Sequence, residues 1–297
     1  MTDNRYTALH RHLRICREDA WGRCPARPSW HCVPIFGDGC KLMPAAAFFS
    51  PETQFGGWRR AVLLPELAQV RGALVCLAWP QVTALLLGMA LDRTDDALSS
   101  YCLDTYTPAG PRRCLGVMAE ALEVVATAEG GDVELRLSLR GRSEEATASL
   151  TEGDFTYAAV SPVPFRLQRA ALSVDGAPVT SAGSMRLRID NHLEEGPSQA
   201  GVLAFLAAGQ RTVSLELTRA DDDSALRDAL RAGAPVAFGA VFTHPAGHTL
   251  SVALSRLYVE AGEDRAAPGA VAETVTRLEG ACDSTGADVV WSLHLST

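Results

Sequence analysis

Residues 115–140, LGVMAEALEVVATAEGGDVELRLSLR, decide the fold class of this chain. From Val133 to Arg140 apolar residues alternate with Glu, Arg and Ser without a break. That period of two is typical of a β-strand buried on one face. The apolar run 115–127 precedes it, and glycines at 130–131 separate the two. The stretch therefore predicts two strands joined by a turn.

Upstream, residues 72–91, GALVCLAWPQVTALLLGMAL, contain no charged residue. Twenty such residues could span a bilayer. However, Pro80 interrupts the run and is well placed to begin a helix. We therefore favour a buried strand over 72–79 followed by a buried helix over 80–91.

The rest of the chain predicts more strands and one more helix. Before residue 65, Gly and Pro punctuation predicts mostly loops, and the polar residues 143–162 predict a linker. A short helix is predicted over 224–231, with acids at 221–223 before it and Gly233 after it. Further strands are predicted over 99–107, 165–174, 184–191, 212–218, 236–243, 250–260, 270–279 and 289–295.

The order of these elements repeats along the chain. A strand, a helix and three strands begin at residue 72 and again at residue 212, and 212 − 72 = 140. We interpret this order as a structural duplication, with one domain over 1–150 and another over 151–297. The second strand–helix pair, which begins at residue 212, is rich in Asp and Arg and could not span a membrane. A shared architecture therefore also argues against a membrane span over 72–91. A single sandwich with coincidental ordering is the alternative.

Composition excludes several classes of protein. The 297 residues are 47% hydrophobic and 21% charged, which excludes a disordered or collagen-like chain. The net charge is −8, which argues against a protein that grips nucleic acid through phosphate contacts. Lys41 is the only lysine. A GC-rich genome explains this, and arginine pairs at subunit contacts are compatible with it.

The eight cysteines predict no metal motif. The first four, Cys16, Cys24, Cys32 and Cys40, are spaced by eight residues, and no CxxC occurs. Zinc knuckles and ribbons need other spacings. The polar first 14 residues lack the apolar core of a signal peptide. We therefore expect reduced, mostly buried thiols.

No residue pattern predicts catalysis. The chain lacks a GxSxG elbow, a phosphate-binding GxxxxGK[ST] loop and an HExxH motif. The close histidine pairs are His10 with His12, in a frayed terminus, and His244 with His248, across a turn. Residues 221–223 are interpreted as helix-capping acids. We expect no catalytic, cofactor-binding or metal-ligating residue, no cofactor, and no enzyme activity.

Three segments carry a family resemblance. Residues 13–25 contain an acid, an aromatic residue, Gly and Pro in that order. Residues 69–91 contain a predicted strand, then Pro and a Leu-rich helix. Residues 186–194 contain a predicted strand followed by Asn and Leu. Together they resemble the tail tube, or major tail, proteins of long, flexible-tailed bacteriophages, over about residues 13–295. The matching positions are Glu18, Trp21, Gly22, Pro25, Asn191 and Leu193.

The resemblance implies a mainly-β fold of tandem β-sandwich or β-barrel tail-tube domains, each with a short α-helix and long loops. It implies a virion structural protein, made in the host cytoplasm, that self-assembles into stacked rings around the DNA path. The implied partners are other copies of itself, the tape measure, the tail terminator and the tail tip, with no membrane and no specific DNA binding.

Family members with one tube domain close as hexameric rings, so two domains per chain predict a trimeric ring with pseudo-sixfold symmetry. The acidic net charge suits a bore that repels the duplex. We expect the self-assembly surfaces to use loops near 37–60, 143–162 and 192–210.

Three alternative functions remain open. A tail terminator or the tube protein of a contractile injection system belongs to the same class. A carbohydrate-binding or adhesin sandwich is an alternative, although aromatic residues are only 6% and the five tryptophans are not clustered. An enzyme is the third alternative.

Overall fold

The computed structural model describes residues 12–35, 39–49, 64–94, 97–107, 110–128, 131–147, 150–157, 163–196, 203–220, 224–265, 273–281 and 289–296. This part of the chain is mainly β, as the alternating patterns predict. The helices are α1 (Pro80–Leu91) and α2 (Ser224–Ala232), with 3₁₀ turns at Glu152–Asp154 and Leu167–Arg169. The strands are β1 (His12–Arg17), β2 (His31–Val33), β3 (Cys40–Phe49), β4 (Leu64–Leu77), β5 (Arg93–Thr94), β6 (Ala97–Leu98), β7 (Tyr101–Thr107), β8 (Gly110–Thr127), β9 (Val133–Gly141), β10 (Ser143–Ala146), β11 (Ala170–Val174), β12 (Ala177–Val179), β13 (Ala182–Asp190), β14 (Leu193–Glu195), β15 (Leu206–Ala208), β16 (Thr212–Arg219), β17 (Val236–Thr243), β18 (Thr249–Arg265), β19 (Glu273–Gly280) and β20 (Val290–His294).

The long strand β8 organises the first half of the chain. Its first part pairs with β7 and β10, and its last part pairs with β9. The change of partner follows a register shift near Gly116, which has φ +62°. A bulge of this kind bends a strand and lets it pass from one sheet to another. The first half thus has an inner sheet, β3-β4-β9-β8, and an outer sheet, β2-β1-β7-β8-β10.

The second half repeats this pairing order. Its inner sheet is β13-β16-β19-β18 and its outer sheet is β12-β11-β17-β18-β20. The long strand β18 holds the place of β8, and both shift register against their inner neighbour at a glutamate, Glu120 in β8 and Glu260 in β18.

These bulges correct the alignment of the two halves. The corresponding glutamates lie 260 − 120 = 140 residues apart, in Glu-Ala-Leu-Glu (120–123) and Glu-Ala-Gly-Glu (260–263). A match of the predicted strand starts would give 250 − 115 = 135 instead, so the bulges and not the strand ends define the alignment. Strand ends vary between copies, whereas a bulge is fixed by pairing. The domain boundary near residue 150 stays a prediction.

The apolar stretch 72–91 forms the end of β4 and the whole of α1, as predicted. Pro80 begins the helix, and the Thr83 hydroxyl donates to the Trp79 carbonyl over 2.7 Å. Leu86, Leu87 and Met89 are almost fully buried, so the apolar residues of α1 fill the protein core. In the part of the chain described above, no helix combines the length and the hydrophobicity that a membrane crossing requires.

The loop-rich region predicted before residue 65 is wrong in part, because β1, β2 and β3 lie there. The strand β3 contains Pro44, which is uncommon inside a sheet. The strand β1 alternates over 12–15 only, because Ile15 and Cys16 are both buried, so its pattern is short. The predicted linker 143–162 contains β10 and a 3₁₀ turn. Another such turn occupies the middle of the predicted strand 165–174. The acids 221–223 lie outside the described residues.

We predict that Gly72→Ala will loosen β3 from β4. Gly72 lies opposite Leu42 in the strand pair, and a Cβ at this position would overlap the backbone carbonyl of Lys41. Because backbone cannot rotate away as a side chain does, we expect a loss of about 1–3 kcal/mol in the free energy of unfolding. Thermal unfolding followed by circular dichroism measures this loss.

Gly262→Ala is the matched control, since nothing lies within 4 Å of a Cβ added to this strand residue. Equal stability of Gly72→Ala and the wild-type chain would contradict the close approach of β3 to β4.

Candidate assembly interface

The two inner sheets meet along one strand pair, which we call the seam. It is the antiparallel pair of β13 with the last part of β8, in register from Ser184 opposite Thr127 to Asp190 opposite Ala121. The seam joins both inner sheets into a continuous run of eight strands, β3-β4-β9-β8-β13-β16-β19-β18. The halves of the chain are therefore connected by main-chain hydrogen bonds as well as by the polypeptide.

Alternation makes one face of the seam apolar. Leu187 faces Val124 and Ile189 faces Leu122, and all four side chains are buried. Burial of such side chains contributes about 1.5–3 kcal/mol each. A one-residue slip would turn them toward solvent, so the apolar face sets the register.

The end of the seam is closed by Asn191, whose side chain is fully buried. Its amide donates to the carbonyls of Ala90 (2.9 Å) and Ala119 (3.1 Å), and its side-chain oxygen accepts from Arg93 and Arg211. One residue thus connects the end of α1, the strand β8 and the end of β13. The resemblance singles out this asparagine, and the structure gives it a structural role.

A second buried polar group lies beside the seam. The half-buried Glu195 and the buried Arg140 form an ion pair, and Arg140 also donates to the Leu193 carbonyl over 2.8 Å. Glu195 belongs to β14, which pairs with β15 in a small hairpin. Part of the predicted assembly loop 192–210 is therefore folded against the first half of its own chain.

The opposite face of the eight strands carries charges of both signs. Arg136 pairs with Glu134 (2.9 Å), Arg188 with Glu123 (2.8 Å) and Arg277 with Glu216 (3.3 Å). A hydrogen bond to Glu134 raises the pKa of Arg136, and hydrogen bonds to Asp190 and to Glu123 raise the pKa of Arg188. We call this surface the paired-charge face, since in each pair a carboxylate offsets an arginine.

The run of eight strands ends at β3 on one side and at the last part of β18 on the other. Within the described ranges, β3 pairs only with β4, and residues 258–265 pair only with β19. In the repeated order, β3 holds the place of β13, and β18 holds the place of β8. The two outer edges therefore correspond to the two strands that form the seam. The predicted assembly loop 37–60 contains one of these edges, β3.

Three other residues of the family resemblance, Glu18, Trp21 and Gly22, hold the N-terminal loop, residues 18–30. The buried carboxylate of Glu18 accepts from the Gly22 N–H (2.8 Å), the Gly116 N–H (2.8 Å) and the Ser100 hydroxyl (2.6 Å). Trp21 donates to the Gly116 carbonyl over 3.2 Å. These contacts fix the loop to the bend of β8.

His244 and His12 have structural partners. The His244 Nε2 lies 2.8 Å from the Val163 carbonyl, and its Nδ1 accepts from the Ala246 N–H, so the ring packs against the turn. His12 lies in β1, 2.9 Å from the Tyr157 hydroxyl, and not in a frayed terminus. His10 lies outside the described residues.

Three thiols that the sequence leaves apart meet in the fold. The Sγ atoms of Cys16, Cys24 and Cys102 all lie within 4.8 Å of one another. The spacing of eight hides this contact, because the third thiol comes from β7, far along the chain.

Comparison with known proteins agrees with this architecture. A family model described as phage tail tube protein matches residues 32–289. The match includes both inner sheets and the seam. A search of the curated proteins found no match.

We predict that Asn191→Ala will destabilise the join between the halves. The substitution removes two hydrogen bonds to backbone carbonyls in a buried site, although the Ala90 carbonyl keeps a longer bond from Arg211 (3.3 Å). A buried polar group left unsatisfied costs about 1–3 kcal/mol. A lower midpoint in urea unfolding of the purified protein would be the expected result. The exposed Glu194→Ala is the control and should leave the midpoint unchanged. An unaltered midpoint for Asn191→Ala would contradict this role of the amide.

Proposed function

The chain belongs to the phage tail tube protein family, and we propose that its copies join edge to edge into rings that stack into the hollow tail of a virion. Tail tube proteins are structural proteins. The strand edges at the two ends of the eight-stranded run support such a role. DNA would pass through the bore during ejection. The tape measure, the tail terminator and the tail tip would be the other partners.

The seam is the observation that carries this proposal. It joins two four-stranded sheets of the same order, and each chain still has one edge of each kind at the ends of the run. An edge with unpaired N–H and C=O groups invites another strand. Because the two end edges correspond to the two sides of the seam, β18 of one copy can pair with β3 of the next. This contact is heterologous and repeats head to tail until the ring closes.

The seam also supplies a register for the contact between copies. In the two inner sheets, β3 residue 43 corresponds to Arg188 of β13, and β18 residue 263 corresponds to Glu123 of β8. Arg188 faces Glu123 across the seam. The proposed contact therefore places Met43 of one copy opposite Glu263 of the next. Met43 is 66% exposed within a single chain, which fits a residue that another copy covers.

The number of chains per ring follows from the duplication. If each chain supplies two tube domains, over 1–150 and 151–297, then three chains supply the six units of a ring. We therefore propose a trimeric ring with pseudo-sixfold symmetry. The seam would alternate around it with the contact between copies.

We propose that the paired-charge face lines the bore. The other face of the eight strands contributes to the hydrophobic core, so only this face can meet a solvent-filled passage. Three arginines of this face, Arg136, Arg188 and Arg277, are each offset by a carboxylate, so phosphates would find fewer unpaired cations there. A surface whose arginines and carboxylates balance would let the duplex slide. The bore would then not need the acidic lining that the net charge of the chain suggests.

The register prediction is tested with paired cysteines. Met43→Cys combined with Glu263→Cys should form disulfides between copies, because facing residues of an antiparallel pair lie within disulfide reach. Non-reducing gels of assembled protein should show a ladder of linked chains that is absent from the wild type.

Met43→Cys with Glu260→Cys is the matched control, since a shift of three residues moves the second thiol by about 10 Å along the strand. Equal cross-linking of both pairs, or of neither in assembled tubes, would contradict the proposed register.

The stoichiometry is tested by electron microscopy of the purified protein across a concentration series. Rings or tubes of uniform bore are expected, with three chains per ring in class averages and in native mass spectrometry. Rings of six full chains would overturn the trimer. A chain that stays monomeric with and without a tail-tip complex would overturn the tube role.

The bore prediction is tested by releasing the arginines. Glu123→Gln, Glu134→Gln and Glu216→Gln together should increase the binding of short duplex DNA to open tubes. They remove the carboxylate partners of Arg136 and Arg277 and one of the two partners of Arg188, which keeps Asp190, and released arginines contact phosphate. This binding should weaken steeply with salt, with a slope of about 0.9 in log K for each contact.

The control carries Glu145→Gln, Glu194→Gln and Asp228→Asn, which change the net charge equally at exposed positions elsewhere. Equal DNA binding by both triple variants would show that the paired-charge face does not line the bore.

A further inference from the structure

A cluster of three thiols lies between the N-terminal loop and the outer sheet of the first half. Cys16 in β1 is the direct cross-strand partner of Cys102 in β7, and both side chains are buried. Cys24 of the loop lies over them, half-buried, with its Sγ 3.9 Å from that of Cys16. We call Cys16, Cys24 and Cys102 the thiol cluster.

The thiol cluster is close to the geometry of a metal site. All its Sγ atoms lie within 4.8 Å of one another. In a tetrahedral zinc site the Zn–S bonds of about 2.3 Å place sulfur atoms about 3.8 Å apart. Small side-chain rotations would therefore let three thiolates contact one ion.

Charged neighbours of the thiol cluster balance such an ion. The buried Asp104 accepts from Arg14 (2.9 Å) and from Arg113 (2.7 Å), so this trio carries one net positive charge. Three thiolates and one divalent cation carry one net negative charge. The arrangement is thus neutral as a whole, as a site with buried members requires.

The thiols also differ in acidity. The hydrogen bond from Cys102 lowers the pKa of the Cys16 thiol, and the same bond raises the pKa of Cys102. A zinc ion would displace the three thiol protons to solvent as the Zn–S bonds form.

We propose that the thiol cluster binds one Zn²⁺ ion, with water in the fourth position on the side of the half-buried Cys24. This ion would hold the middle of the loop 18–30. The two ends of the loop are already anchored, by Glu18 at one end and at the other by Trp30, whose ring lies 4.4 Å from the Arg14 guanidinium. The middle has no helix or strand to hold it. The site does not depend on the tube role.

The test uses the full chain, purified under reducing conditions from zinc-supplemented cells. We expect one zinc per chain by elemental mass spectrometry. Titration of the metal-free protein with Cd²⁺ should give the ultraviolet charge-transfer band of cadmium thiolates, saturating at one ion per chain. Zinc should also raise the thermal midpoint relative to the protein in chelator.

Cys24→Ser should lose the zinc and the cadmium band, while Cys32→Ser should keep both. Cys32 is also half-buried and close in sequence but lies outside the cluster, so it is the matched control. Circular dichroism shows whether each variant is folded.

Three outcomes would overturn the proposal. One is a metal-free wild-type chain that gives no cadmium band. Another is folded Cys24→Ser that retains stoichiometric zinc. The last is an intact mass two hydrogens low with Cys16 joined to Cys102, which would identify the cluster as a disulfide site. Ring formation in the same preparations reports separately on the tube role.

Discussion

The backbone N–H and C=O groups at the edge of a β-sheet need hydrogen-bond partners, and this fold depends on how one such edge is paired. The edge of β8 is covered by β13 of the same chain, which joins two sheets of identical order into one run of eight strands. Backbone groups left without partners at such an edge favour pairing with any other strand. The seam pairs one such edge within the chain. The edges at the two ends of the run, β3 and β18, can form the same kind of pair with another copy.

Buried polar groups make the seam specific. Apolar side chains on its inner face provide most of the favourable free energy, but they would tolerate small displacements of one half against the other. The hydrogen bonds of Asn191 and Arg140 do not tolerate such displacements, because each side chain donates to backbone carbonyls at fixed positions. Misplacing either half would leave buried polar atoms without partners. The polar contacts therefore define one relative position of the two halves.

The charges of the chain act locally. The net charge of −8 describes the molecule as a whole, whereas the paired-charge face carries arginines with carboxylate partners. The preference for arginine over lysine fits this arrangement, since the planar guanidinium binds carboxylates in a fixed geometry. Around the thiol cluster the same chemistry recurs, where Arg14 and Arg113 share Asp104.

The sequence by itself determined the elements whose signals are local. Alternation located β9, β13 and β16, and Pro80 located the start of α1, since strand and helix periodicities depend only on near neighbours. It missed β1 and β3, because β1 alternates over only four residues and Pro44 lies inside β3. Only the tertiary structure decided the seam, the equivalence of Glu120 with Glu260 and the meeting of Cys16 with Cys102. These depend on which strands pair and in which register, and pairing between distant segments leaves no periodic trace in a single chain.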